Sequence, residues 1–253
     1  MREIIRIFGV PIDKLTKVEV IEKIKLFLAE DKTRTIYTPN TEIVMAARED
    51  ENLKRILNEG DIIIPDGIGL IYASRIKKKN LPERVTGCDI SFEMLEIANS
   101  EGYSVFLLGG QEGVAKEAGE NLKKQYPNIR LAGVQNGYFK GAHIGCAGHA
   151  EENIVVEKIK NSNADILFVG LGAPKQEIWI DENKDKLNCK VIIGNGGTVD
   201  ILAGRMTRAP EIYQKLGLEW LYRLIKDPKR IKRQMVIPLF ILTILFSREK
   251  TVE

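Results

Sequence analysis

ADILFVGLGAPKQEIWI, residues 164–180, changes its hydrophobic period halfway. Asp165–Val169 holds a short, continuous, partly β-branched apolar run. That length suits a strand buried on both faces and is too short for a buried helix. Glycines 170 and 172 and Pro174 then break the chain, and Gln176–Lys186 reads as a helix. Strand, glycine turn, helix is half of a βαβ unit.

The same grammar extends in both directions. Arg34–Tyr37, Asp61–Ile64, Ser104–Leu108, Ile129–Val134 and Val191–Ile193 read as strands. Thr41–Glu59, Ser91–Ser100, Glu112–Gln125 and Glu151–Asn161 read as helices. Alternation of this kind predicts an α/β fold, a mostly parallel, Rossmann-like sheet with helices on both faces, over residues 1–204. From residue 205 strands disappear. Lys215–Lys226 and Pro228–Phe246 are helical candidates, with Asp227 as N-cap and Pro228 at the first helical position. Residues 205–253 are therefore expected to form a helical C-terminal appendage.

Composition sets the class. In 253 residues, 44% apolar and 29% charged is ordinary for a globular protein and excludes disordered, fibrous and multi-span membrane chains. Cys88, Cys146 and Cys189 are odd in number and far apart, which argues against a disulfide framework and for a reducing compartment. The opening MREIIRIFGVPIDKLT carries charges inside its apolar run, unlike a signal peptide, so a cytoplasmic location is expected. The formal charge of +3 is unevenly spread: 11 Lys/Arg against 5 Asp/Glu from Arg205 onward, 27 against 30 before it. A basic tail on a slightly acidic body suggests an anionic partner: a phosphorylated ligand, an anionic membrane or nucleic acid.

Ligands of open parallel sheets bind beyond the carboxyl ends of the strands. Five such ends carry polar or glycine-rich turns. They are Thr38-Pro39-Asn40-Thr41, Pro65-Asp66-Gly67, Gly109-Gly110 with Gly113, Gly170–Glu177, and Gly194-Asn195-Gly196-Gly197-Thr198 followed by Asp200. Asn40 or Thr41 reads equally as a helix cap, and Asp66 as a turn aspartate. Three glycine turns at strand ends together point to a nucleotide crevice, although neither G-x-G-x-x-G nor a P-loop is present. A D-x-D metal pair and a G-x-S-x-G elbow are absent. His143, Cys146 and His149 are spaced as zinc ligands, but a fourth is missing and the segment 141–150 is rich in glycine and alanine. A surface loop is the expectation there.

In the tail, Arg223, Arg230 and Arg233 share one face if a helix runs through Pro228. MVIPLFILTILF (235–246) follows. As a helix it would span about 18 Å against about 30 Å of hydrocarbon, too short to cross; it fits a segment lying in the interface, or else a helix packed on its own core or on another subunit.

TPNTEIV (38–44), IPDGIGL (64–70), RVTGCD (84–89), FLLGGQEGVA (106–115), NGYF (136–139), ILFVGLGAPKQEIWI (166–180), GNGGTVDILAG (194–204) and RAPEIYQKLGLEWLYRLIKDPKR (208–230) together resemble the WecG/TagA/CpsF glycosyltransferases, most of all the TagA type of wall teichoic acid synthesis. The resemblance implies transfer of N-acetylmannosamine from UDP to undecaprenyl-diphosphate-linked N-acetylglucosamine, forming a β-1,4 link. An α-linked donor giving a β-glycoside implies inversion by one displacement, with one base. Asp66 is the expected base. Thr38 and Asn40 would line the pocket, Arg84 would hold a phosphate, and Gln176 would contact the donor. Arg223, Arg230 and Arg233 would offset the charge of the leaving diphosphate. No cofactor or divalent metal is expected. The expected partners are the UDP-sugar, the lipid-linked acceptor and the cytoplasmic leaflet of the membrane, with the enzyme peripheral on it. A homo-oligomer is left open, and nucleic acid is not expected because 226–233 lacks interleaved aromatics.

Relatives with other donors, a UDP-N-acetylmannosaminuronic acid or a UDP-hexose, are the alternative. A non-catalytic nucleotide- or nucleic-acid-binding module and a structural oligomer are more distant ones. Two features depart from the family pattern. Gly141–Ala150 looks like an insertion, and Asn195 stands where an apolar residue is usual between the glycines.

Overall fold

The computed structural model describes residues 2–228 and 231–246, with only the backbone of Lys232 and Arg233. It opens with a hairpin, β1 (Ile4–Ile7) and β2 (Val10–Asp13), and helix α1 (Lys17–Ala29). The α/β part follows as β3 (Arg34–Tyr37), α2 (Thr41–Glu49), α3 (Glu51–Glu59), β4 (Ile62–Ile63), α4 (Ile68–Ile76), α5 (Gly87–Glu101), β5 (Ser104–Gly109), α6 (Val114–Gln125), β6 (Arg130–Gln135), α7 (Ala150–Ser162), β7 (Ile166–Gly170), α8 (Lys175–Asn183), β8 (Val191–Gly194) and α9 (Thr198–Leu202). Helices α10 (Glu211–Lys215), α11 (Glu219–Lys226), α12 (Ile231–Gln234) and α13 (Val236–Phe246) complete it.

Six strands form one parallel sheet in the order β4-β3-β8-β7-β5-β6. Its central strands β5, β7 and β8 are buried throughout, because helices cover both faces. Two apolar clusters result, one on each side. Phe106, Leu108, Leu167, Val169 and Ile192 face one; Val105, Leu107, Ile166, Phe168 and Ile193 face the other. The fold class read from the sequence is the one observed.

Several boundaries differ. The single helix expected over Thr41–Glu59 is two helices. Asp50 takes an extended conformation, ends α2, and caps α3 by accepting from the Asn52 and Leu53 amides at 2.9 and 3.1 Å. The strand at Asp61–Ile64 pairs formally only at Ile62 and Ile63. Single bonds continue the alignment, from Ile64 N–H to Tyr37 O and from Asp66 N–H to Pro39 O, both 3.0 Å. Those bonds place Asp66 beside the end of β3.

The N-terminal hairpin and α1 went unread in the sequence. Asp13 anchors the hairpin to the sheet edge. Its buried carboxylate accepts from Arg2 at 2.6 and 2.8 Å and from the Ile63 amide at 2.7 Å. The tail also departs from expectation. Lys215–Lys226 is split by Gly217 (φ +69°), whose absent side chain leaves room for Ile68. The helix does not run through Pro228, since α11 stops at Lys226 and Asp227 leaves the helical region. Pro238 lies in the first turn of α13, where its missing N–H breaks no helical bond. Helix α13 packs Phe240 and Ile244, both fully buried, into the cluster that includes the hairpin's Phe8. The Phe8 and Phe240 rings meet edge-on at 5.8 Å.

Candidate active site

The turns that end β3, β4, β7 and β8 meet over the carboxyl edge of the sheet and enclose a cavity of about 390 Å³. Thr38, Asn40, Asp66, Arg84, Gln176 and Arg223, far apart in sequence, all line it. The Thr38 hydroxyl donates to Gly194 O at 3.1 Å and ties the end of β3 to that of β8. Asn40 is both cap and wall: its side-chain oxygen accepts from the Ile43 amide at 3.0 Å at the start of α2. Asp66 is half-buried, and its Oδ2 accepts from the Gly87 amide at 3.1 Å at the start of α5. The next residue, Gly67, has φ +150°, a conformation that L side chains rarely adopt, and it turns the chain from Asp66 into α4.

Burial raises the pKa of Asp66 above the usual carboxylate value. Arg223, the Gly87 N–H and Arg84 oppose that shift, and Glu219 adds to it.

Gln176 is buried. Its Nε2 donates to Glu177 Oε1 at 3.0 Å, and its amide lies against Gly194 and Gly196, where a Cβ would come within 3.1 and 3.2 Å of it. Glu177 is fully buried, and burial pushes its carboxyl up to about 7 against the hydrogen bond from Gln176. Arg84 is engaged by the tail, donating to Glu219 Oε1 at 2.7 Å and to Gln214 O at 3.2 Å. Helices α10 and α11 are thereby held over the cavity, and Trp220 and Ile237 add apolar wall.

A second cavity of about 800 Å³ adjoins the first, sharing Gly172, Gly196 and Asp200 with it. It lies over the ends of β5 and β7, beside the glycine turn that leads into α6. Lys140 and Lys175 bring positive charge to it, the Arg205 guanidinium at its edge donates to both oxygens of Glu117 at 2.7 and 2.6 Å, and Tyr138 stands exposed on its wall. Burial raises the carboxyl of Asp200.

The sequence matches the glycosyl transferase WecG/TagA/CpsF family over residues 5–252. The chain belongs to that family. Two similar relatives come from Staphylococcus aureus, strains MRSA252 and NCTC 8325 / PS 47, each named N-acetylglucosaminyldiphosphoundecaprenol N-acetyl-beta-D-mannosaminyltransferase. Each is 36% identical over 246 residues, covering 96% of this chain and 93% of the relative.

For this glycosyltransferase, the remaining sequence expectations divide. Arg230 lies outside the described residues, as does the side chain of Arg233, so of the three tail arginines only Arg223 is placed at the cavity. The loop expected on the surface at 141–150 is partly internal. His143 is buried, its ring 4.7 Å edge-on from Phe139, because the Glu152 carboxylate folds the loop inward. Glu152 accepts from the Ala142 and Gly148 amides, both at 2.8 Å. His149 caps α7 instead of joining a ligand set, its Nδ1 accepting from the Glu151 amide at 3.2 Å. Among the described residues no cluster of three or more His, Cys, Asp or Glu is placed to hold a metal.

Sequence reasoning missed Lys140, Lys175, Arg205 and Glu219 as wall residues. Lys175 and Glu219 sit inside the motifs at 166–180 and 208–230. Lys140 and Arg205 directly follow those at 136–139 and 194–204, and proximity to a glycine turn was the available signal.

Proposed function

We propose that this glycosyltransferase moves N-acetylmannosamine from its UDP donor to the 4-hydroxyl of N-acetylglucosamine on undecaprenyl diphosphate, with inversion and without a metal. The observation that carries the reading is Asp66: a half-buried carboxylate in a cavity that gathers Thr38, Asn40, Arg84, Gln176 and Arg223. The names and full-length similarity of the staphylococcal relatives support the choice of sugar and acceptor.

The acceptor hydroxyl attacks the anomeric carbon as the bond to UDP breaks, and its proton passes to Asp66. The larger cavity suits the nucleoside diphosphate, with the sugar reaching past Gly172 and Gly196 into the smaller one. Lys140 and Lys175 around the first, and Arg223 beside the second, offset the negative charge of the leaving UDP. Gln176 and Thr38 fix the sugar between them.

The acceptor is a lipid, and the tail supplies a surface for it. Opposite its packed side, α13 exposes Leu239, Leu242, Leu245 and Phe246, and Met235 is exposed just before it, next to a basic segment. Among the described residues no helix is long and apolar enough to cross a membrane. An apolar face beside Lys and Arg is what an interfacial helix on an anionic leaflet requires. The enzyme would therefore work as a peripheral protein on the cytoplasmic leaflet.

The test is UDP release with UDP-N-acetylmannosamine and a polyprenyl-diphosphate-linked N-acetylglucosamine, compared with other UDP-sugars, with and without anionic vesicles. Asp66→Asn should lower turnover by about two to four orders of magnitude at saturating substrates. Unchanged turnover would remove Asp66 as the base, and equal use of another donor would replace the sugar.

A further inference from the structure

Asn195 ties the turn after β8 to the start of α5. It sits in the turn after β8 and is buried, 7% exposed. Its side-chain nitrogen donates to Gly87 O at 3.2 Å and to the Ser91 hydroxyl, and its oxygen accepts from the Thr198 hydroxyl at 2.6 Å. The Ser91 hydroxyl donates to the same Gly87 carbonyl at 2.9 Å. Both hydrogen-bonding ends of the amide are thus used, which fixes its orientation.

Gly87 is held from the other side as well. A Cβ at that position would lie 3.0 Å from the Thr38 side chain, and Thr38 is itself tied to Gly194. The first turn of α5 is therefore clamped between the ends of β3 and β8. The Gly87 N–H that emerges from this clamp is the one that binds Asp66.

We infer that Asn195 is a positioning residue for Asp66, acting through Gly87. This rests on the reading of Asp66 as the base. An apolar residue at 195 would leave the Gly87 carbonyl with one donor fewer and Thr198 without its acceptor. The first turn of α5 would loosen, and the amide that favours the ionised form of Asp66 would bind it less well. The carboxylate would then take up its proton at higher pH and be held less firmly toward the acceptor.

The other groups facing Asp66 belong to different elements and none is among the bonds Asn195 makes. Arg223 and Glu219 come from α11, Arg84 from the segment before α5, and Cys88 from α5 itself. Beyond Cys88 lie Asp89 and Arg208, which pair with each other. Burial pushes the Cys88 thiol up to about 11, so it stays neutral across the working range.

The experiment compares the full-length wild type with Asn195→Leu and Thr198→Val. The Asp66 carboxyl is followed by carbon-13 NMR, assigned through Asp66→Asn, and kcat and KM are measured across pH. In Asn195→Leu the Asp66 midpoint should rise by about half a unit or more. The acid limb of kcat should rise with it, lowering kcat on that limb by about threefold, with KM for the UDP-sugar unchanged. Thr198→Val should shift the midpoint the same way by less. A folded Asn195→Leu whose Asp66 titrates as in the wild type overturns the inference, and so does one that raises KM while the midpoint stays put. If Asn195→Leu does not fold, the midpoint in Thr198→Val decides in the same way. Should Asp66→Asn keep its turnover, the base reading fails, while the NMR midpoint still decides whether Asn195 sets the state of that carboxylate.

Discussion

Replacing Glu177 by glutamine tests whether the floor of the site is as dry as the structure makes it. Glu177 is fully buried in α8, next to Gln176. One of its oxygens accepts from that amide, and the other has no partner among the described residues. Burial lifts its pKa from an ordinary 4.5 to about 7. A group raised in the folded state adds stability below its unfolded pKa and loses it as pH climbs through the folded one. The wild type should therefore lose about 2.5 kcal/mol between about pH 5 and about pH 8 from this group alone.

Glutamine keeps the acceptor for Gln176 Nε2 and never ionises, so that part of the slope should vanish. Urea unfolding of both proteins at four pH values in this range gives the difference directly. The variant should gain on the wild type steadily as pH rises. A constant difference across the range would refute the reasoning, because it would mean that water reaches Glu177 and that Gln176 is oriented by something else.

Three further expectations concern Asp66, the seat of α13 and the cap of α3. Arg223→Gln removes the largest influence that lowers the Asp66 pKa, so the acid limb of kcat should move to higher pH; a pH–rate profile checks it. Phe240→Ala empties a fully buried site against Phe8 and should cost about 3–5 kcal/mol, seen as a lower melting temperature and faster proteolysis in the tail; an unchanged melt would mean α13 is not seated there. Asp50→Ala removes the cap of α3 and should cost about 1 kcal/mol in chemical denaturation without changing KM.

Much of the architecture was legible in the sequence because its signals are local. Short apolar runs of the length of Ile166–Val169, set between helices, read as strands, and polar or glycine-rich turns at five of their ends mark the carboxyl edge where ligands bind. The break at Asp50 was legible too, since aspartate two and three residues before Asn52 and Leu53 is a cap. The run of helical periodicity around it hid the signal. Helix α1 carried one as well: Thr16 and Glu19 form a capping box, each side chain bonding the other's backbone. The hairpin was harder to see, because what fixes it is Asp13 reaching Arg2 and Ile63, and a contact across 50 residues leaves no local pattern.

The sequence by itself determined the α/β class and marked five polar or glycine-rich turns at strand ends, because strand length, helix period and turn chemistry are set by neighbours in the chain; Asp66 stood there as a turn aspartate until the family resemblance singled it out. Only the tertiary structure decided that Arg84 is bound to Glu219, that α13 buries Phe240 beside the hairpin, that two cavities meet at Gly172, Gly196 and Asp200, and that Asn195 reaches Gly87. Those outcomes depend on which distant groups the packed sheet brings within hydrogen-bond or van der Waals range. Distance in space between residues a hundred positions apart is not encoded in any one stretch of the chain.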